Sequence, residues 1–229
     1  MNEKVIWDFL INKTGNTYGT AAIMGNLMAE SSLNPRNATN LKKTGYTTAD
    51  QYIIATDDGV HDFAHDGVAF GLVQWCYYSR KQGLLEYAKA TGRSVGDLAM
   101  QLEYLVKEMS EHYKTAWAAA CQANDIRGAS DVIMLKYENP STKTEAAKQK
   151  RATYGQKYYD QFVSPQPTPS GKKMVQATNQ VNIRMTPDKT IKRVGELQKG
   201  QELEWISTEN GWHKVAVWIS GDYSKVISK

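Results

Sequence analysis

The chain has 229 residues, of which 41% are hydrophobic and 23% charged, with a net charge of +4. Such a composition belongs to a soluble globular protein with chain enough for one large domain or two ordinary ones. No apolar run approaches the roughly 18 residues that a membrane span requires.

The charge is unevenly placed. Residues 1–163 carry 18 basic and 18 acidic side chains, whereas residues 164–229 carry 10 and 6. A neutral body with a basic tail suits a polyanionic surface better than a nucleic-acid groove. Cys76 and Cys121 form no framework and read as free thiols of a chain folded in a reducing cytoplasm. The N-terminus enters an amphipathic helix at once, without an apolar signal core or a cleavage site, so delivery to an extracellular target is expected to need a separate route.

In chain order, the first helix is expected over about Glu3 to Lys13, with Ile6, Phe9 and Leu10 inward and an end near Gly15. The second runs from about Thr20, with Ile23, Leu27 and Glu30 at i, i+4 and i+7 on one face. Asn34-Pro35 stops it, because the residue before a proline is driven out of the helical region. Glu30 therefore lies within the last turn or so, where burial and the negative end of the helix dipole both disfavour an ionised carboxylate. A carboxyl group kept neutral is what a general acid needs; the alternative is a Glu turned to solvent beside Ser31 and Ser32.

From Arg36 to Asp66 the sequence is polar and irregular, with Asp57, Asp58, Asp62 and Asp66, and is expected to form one wall of a cleft above Glu30. Further helices are expected over Ser79 to Thr91, from a capping box at Ser94-Val-Gly-Asp97 through the stripe Leu98, Leu102, Leu105 and Met109, over Ile126 to Tyr137, and over Thr144 to Phe162. Ser164-Pro-Gln-Pro-Thr-Pro-Ser-Gly-Lys-Lys173 reads as a linker, extending about 3.1 Å per residue where polyproline-like. Beyond it the pattern changes to short β runs at Gln180–Arg184, Gly195–Leu197, Glu202–Ile206 and Trp212–Trp218, with Gly200 and Asn210-Gly211 as turns. Three segments follow: a mainly α domain over 1–163, a linker over 164–173, and a small β domain over 174–229.

The order of motifs carries a resemblance. Gly25-Asn-Leu-Met-Ala-Glu-Ser, Phe70-Gly-Leu-Val-Gln-Trp, Ser79-Arg-Lys-Gln, Tyr137-Glu-Asn-Pro and Lys150-Arg-Ala-Thr-Tyr-Gly-Gln-Lys-Tyr-Tyr together resemble the phage tail lysozyme family. That family belongs to the lysozyme-like superfamily of goose-type lysozymes and lytic transglycosylases. Val181-Asn-Ile-Arg184, Leu197-Gln-Lys-Gly200 and Asn210-Gly-Trp-His-Lys-Val215 resemble a bacterial SH3-type wall-binding domain, although Gly221-Asp-Tyr-Ser departs from its usual ending. The implied fold class is α+β multidomain, a mainly α lysozyme-like domain followed by a small all-β SH3-like barrel.

The resemblance implies a peptidoglycan hydrolase of endolysin type that cuts the β-1,4 bond between N-acetylmuramic acid and N-acetylglucosamine. It would be made in the host cytoplasm and act at the bacterial wall after holin-type release or from a virion. Glu30 would be the general acid and Asp66, a few residues before Gly-Leu-Val-Gln, would position water, with Asp57, Asp58 and Asp62 as rivals. Ser31, Gln74, Trp75, Tyr78 and Tyr137 are the candidate substrate contacts, and Trp205, Trp212, Trp218 and Tyr223 the candidate wall contacts. Peptidoglycan and anionic wall polymers are the expected partners, without nucleic acid, membrane insertion or cofactor.

Two alternatives stay open: a lytic transglycosylase in which Glu30 is acid and then base, and a non-catalytic wall-binding tail component. His61 and His65 have a zinc-compatible spacing but lack a Glu after the first His, so no metal is expected. Cys76 has no orienting pair around it and reads as a half-buried thiol rather than a nucleophile.

Overall fold

The structure is a computed structural model that describes residues 2–163 and 174–215. The chain divides into two compact units, residues 1–166 and 167–229.

The first unit is helical. α1 (Glu3–Thr14) buries Ile6, Trp7 and Leu10 and ends on Gly15, whose left-handed φ of 63° lets its N–H close onto the Ile11 carbonyl. α2 (Thr17–Ser31) starts earlier than the apolar periodicity implies, because the Asn16 side chain caps the Gly19 N–H. α2 is buried from Gly19 through Leu27, which makes it a central helix rather than an amphipathic surface one.

Its neighbours approach almost backbone to backbone. A Cβ added at Gly19 would lie 1.7 Å from the Ala120 carbonyl oxygen, and one at Gly25 would lie 2.3 Å from the Arg151 carbonyl oxygen. Those contacts come from α6 (Lys114–Cys121) and α8 (Glu145–Phe162), which pack on α2 together with α7 (Ile126–Ile133) and α1.

The polar segment from Arg36 to Asp66 is more ordered than expected. A short antiparallel pair, β1 (Ala38–Thr39) with β2 (Ala69–Phe70), closes its two ends. Within it α3 (Ala49–Asp57) starts from a capping box in which Thr48 and Gln51 satisfy each other's backbone N–H groups. α4 (Tyr78–Thr91) follows, then α5 (Leu98–His112). The cap of α5 is Asp97, which accepts from the Met100 N–H, so the expected box from Ser94 is replaced by a simple Asp cap. Beyond α7 the chain widens into a π-helical turn, Met134–Glu138, and α8 begins after the Thr144 cap.

In the second unit, β3 (Met174–Gln176), β6 (Glu202–Glu209) and β7 (Trp212–Val215) form one antiparallel sheet in the order β3-β6-β7. β4 (Val181–Arg184) and β5 (Arg193–Leu197) form another. Asn210 and Gly211, both with positive φ, turn β6 into β7. Among the described residues these sheets close no barrel, and Ala177 is the buried apolar residue of the unit. The expected linker and the end of the last expected strand, with Trp218 and Tyr223, lie outside the described residues.

Candidate active site at the end of the central helix

α2 carries Glu30 in its final turn. Ser31 next to it is buried, and its Oγ donates to the Leu27 carbonyl one turn back, so it fastens the helix end instead of facing a ligand. Ser32 and Leu33 then both adopt left-handed backbone, at φ 56° and 59°. For non-glycine residues that conformation costs roughly 1–2 kcal/mol each, so the corner after Glu30 is strained. It persists because Leu33 is buried and Asn34 recaptures the chain, its N–H on the Ser31 carbonyl and its Oδ1 accepting from the Arg36 N–H.

The Glu30 side chain is neither caged in apolar surroundings nor turned freely to water. It is 19% exposed and forms an ion pair with the Arg151 guanidinium, itself 9% exposed. Arg151 arrives there because the glycine contacts bring α8 against α2. Its Nη1 reaches the Ala147 carbonyl at 3.4 Å, and its buried Nε has no hydrogen-bond partner among the described residues.

A second carboxyl sits nearby. Glu138 ends the π-helical turn, and the charged groups that act on it are Glu30, Arg80, Arg151 and Glu108. Burial, then the negative charge of Glu30, push its carboxyl well above the ordinary carboxylate range, against the opposing pull of Arg80 and Arg151.

Two of the three aromatic residues expected to contact substrate belong to the core. Trp75 and Tyr137 are buried, and both donate to Glu108 Oε2, from Nε1 at 2.9 Å and from the hydroxyl at 2.7 Å. Arg80 completes this hub with a two-pronged contact to Glu108 at 2.7 and 2.8 Å, its guanidinium lying over the Tyr113 and Tyr137 rings. A buried carboxylate that satisfies three donors is a structural anchor, which corrects the substrate-contact expectation for Trp75 and Tyr137. Tyr78 is exposed and stacks on His65 with ring centroids 4.6 Å apart, and Tyr77 before it is also exposed. These are the aromatic faces open to a ligand at the start of α4.

Gln74 occupies a left-handed position, and its Nε2 donates to the Asn37 and Gly71 carbonyls. It ties the loop before β1 to the turn after β2 through backbone carbonyls rather than by reaching outward.

Asp66 is placed in a buried network. Its side chain is 4% exposed and receives Lys81, the Tyr52 hydroxyl at 2.7 Å, the Val68 N–H at 2.8 Å and His61 at 2.9 Å. Burial alone would raise its pKa, but the donors, Lys81 first, outweigh burial and hold the carboxyl below its ordinary range. Lys81 is itself fully buried and bonds the Val68 carbonyl and Tyr52 as well. Both oxygens of the Asp66 carboxylate are thus engaged by donors from the protein, which ties α3 and α4 to the chain before β2. Asp57 accepts from the Val95 N–H, and Asp62 pairs with His65 at the surface.

His61 and His65 take different carboxylates, Asp66 and Asp62. Among the described residues no group of three His, Cys, Asp or Glu could hold a metal ion. Cys76 is exposed rather than half-buried, and Cys121 is partly buried; both are free thiols. In the second unit Trp205 and Trp212 are partly exposed, on neighbouring strands β6 and β7. Among the described residues no helix is long and apolar enough to cross a membrane.

The positions that sequence reasoning missed here are Arg151, Glu138, Arg80 and Glu108. The motifs Ser79-Arg-Lys-Gln, Tyr137-Glu-Asn-Pro and Lys150-Arg contained three of them, but nothing local shows that Arg151 pairs with Glu30 or Arg80 with Glu108.

A family model described as phage tail lysozyme matches residues 1–162. No curated protein matches the chain.

Proposed function

The chain belongs to the phage tail lysozyme family, and from that premise we propose that it is a peptidoglycan-cleaving muramidase in which Glu30 is the general acid. The family implies lysozyme-like glycosidase activity on the bacterial wall. The observation that carries the finer reading is the Glu30–Arg151 pair at the strained end of α2.

Cleavage of a glycosidic bond requires a proton on the leaving oxygen as positive charge grows on the sugar ring. In this reading Glu30, whose carboxylate pairs with Arg151 at rest, takes up a proton as substrate binds and delivers it to the leaving oxygen, and Arg151 again receives the carboxylate left behind. The bond is that between N-acetylmuramic acid and N-acetylglucosamine. Tyr77 and Tyr78 offer the exposed rings for sugar packing, and residues 174–229 hold the enzyme to the wall through Trp205 and Trp212, raising its local concentration.

A second reading is favoured by one observation. Both oxygens of Asp66 are engaged by buried donors, which leaves Glu30 as acid and then base while a substrate hydroxyl closes an anhydro ring, the lytic transglycosylase route. Mass spectrometry of purified peptidoglycan after digestion distinguishes the two. Reducing-end products support the hydrolase, 1,6-anhydro ends support the transglycosylase, and undegraded glycan contradicts both.

A further inference from the structure

We propose that His65 and Tyr78, with Asp62 pinning the imidazole, form a two-ring platform that binds a sugar ring of the β-1,4-linked wall glycan. The inference rests on the reading of the substrate as peptidoglycan and assigns to its recognition His65 and Asp62, which that reading leaves unused.

The two rings lie nearly parallel, with centroids 4.6 Å apart and planes 19° from each other. His65 is fixed in that pose by its edge, because Nδ1 meets both oxygens of Asp62, at 2.9 and 3.1 Å. The bond to the imidazole holds the Asp62 carboxyl below its ordinary range, so Asp62 is an ionised acceptor. Nδ1 therefore carries a proton, which leaves Nε2 as the acceptor of the neutral ring.

The platform is open yet anchored. The side chains of His65 and Asp62 are 62% and 70% exposed and Tyr78 is 54% exposed, so the stack covers one face of each ring and leaves the other to solvent. Phe63 and Ala64, between Asp62 and His65, are buried, and so is Trp75 just before the start of α4. Asp66, next in sequence to His65, pairs with the fully buried Lys81, one turn along α4 from Tyr78. That ion pair clamps the His65 loop to α4 where the two rings meet, and Lys81 adds a bond to the Val68 carbonyl at 3.0 Å. A contact surface held in its binding pose before the ligand arrives loses little entropy on association.

A pyranose has the matching chemistry. One face of the sugar ring is lined by C–H bonds, and its rim carries hydroxyl and acetamido groups. The aromatic faces take the C–H side, and His65 Nε2 accepts from a sugar N–H or O–H at the rim. Tyr77, 74% exposed, extends the apolar surface.

The test is titration of the full-length protein with the β-1,4-linked N-acetylglucosamine hexamer, a chain without muramic acid and so without the bond the enzyme is proposed to cut. In NMR of the histidine rings, the resonance missing from His65→Phe is that of His65, and it should shift saturably as hexamer is added. By calorimetry His65→Ala and Tyr78→Ala should each weaken binding by about fivefold to tenfold. The double variant should lose little more than either one, because each ring holds the other in the stack. His65→Phe, which keeps a ring and loses Nε2, should fall between wild type and His65→Ala. Asp62→Ala should weaken binding by letting the imidazole turn, and Asp62→Asn, whose amide oxygen still accepts from Nδ1, should restore it. All these side chains are exposed, so melting temperatures should stay close to that of the wild type.

A His65 resonance unmoved by saturating hexamer, or His65→Ala and Tyr78→Ala variants that bind as tightly as wild type, overturns the proposal. Hexamer binding needs no bond cleavage, so failure of the muramidase reading shows separately, as wall clearing unaffected by Glu30→Gln.

Discussion

Glu30 and Arg151 are 121 residues apart in the chain, yet the guanidinium of one grips the carboxylate of the other at the end of the central helix. The pairing depends on two glycines, Gly25 and Gly155, which let α8 lie against α2 at backbone distance. The Glu30–Arg151 pair and the packing of α8 on α2 are therefore one arrangement in this molecule.

Replacing Arg151 by Met keeps the aliphatic stem and removes the cation that receives the Glu30 carboxylate. Loss of one preorganised donor to developing charge lowers turnover by about 10²–10³-fold in comparable sites. A drop of that size in the rate of wall clearing is expected, with wall binding unchanged in a sedimentation assay. A variant clearing walls at the wild-type rate would remove Arg151 from the chemistry.

Gly25→Ala tests the coupling between packing and site. The new methyl would lie 2.3 Å from the Arg151 carbonyl oxygen and 2.7 Å from the Gly155 nitrogen, so α8 must move. Overpacking of this kind costs roughly 1–3 kcal/mol, and here the displaced helix carries Arg151. The melting temperature and the specific activity of the folded fraction should therefore fall together. A stability loss with undiminished turnover would show that the ion pair tolerates the shift.

Asp66→Asn is expected to act on stability, not on chemistry. It strands the fully buried Lys81 ammonium, and breaking a buried pair from one side costs about 3–5 kcal/mol. In the wild type the Asp66 carboxyl is held below its ordinary range, so its contribution is present above a pH of about 4 and is lost as pH falls through the lowered folded value. Melting temperature followed from pH 6 downward should show this loss in the wild type, while the variant, already lacking the carboxylate, should lack that component. A stable Asp66→Asn enzyme with crippled turnover would return Asp66 to the mechanism.

The sequence made the end of α2 readable because Asn34-Pro35 and the apolar repeat are local signals, and Glu30 could be placed in the last turn from them. α3 was hidden in a segment that looked irregular, although Thr48 and Gln51 spelled its capping box three residues apart. Trp75 and Tyr137 looked like sugar platforms because their common acceptor, Glu108, lies 33 and 29 residues away in the sequence. Nothing in a linear pattern reveals that meeting. Asp66 was singled out by its place before Gly-Leu-Val-Gln, and nothing in that local pattern shows that Tyr52 of α3 and Lys81 of α4 draw its side chain inside. The β strands after the linker followed their alternation and the Asn210-Gly211 turn. Closure of a barrel is a long-range property that alternation does not encode.

Turbidity of purified peptidoglycan treated with Glu30→Gln, alongside the wild type at matched folded concentration, is the most direct measurement. Expected is a fall in clearing rate of at least about 10³-fold per folded molecule, with sedimentation onto walls preserved, because the amide keeps the shape and loses the proton. Clearing at near the wild-type rate would contradict the assignment of the acid to the end of α2.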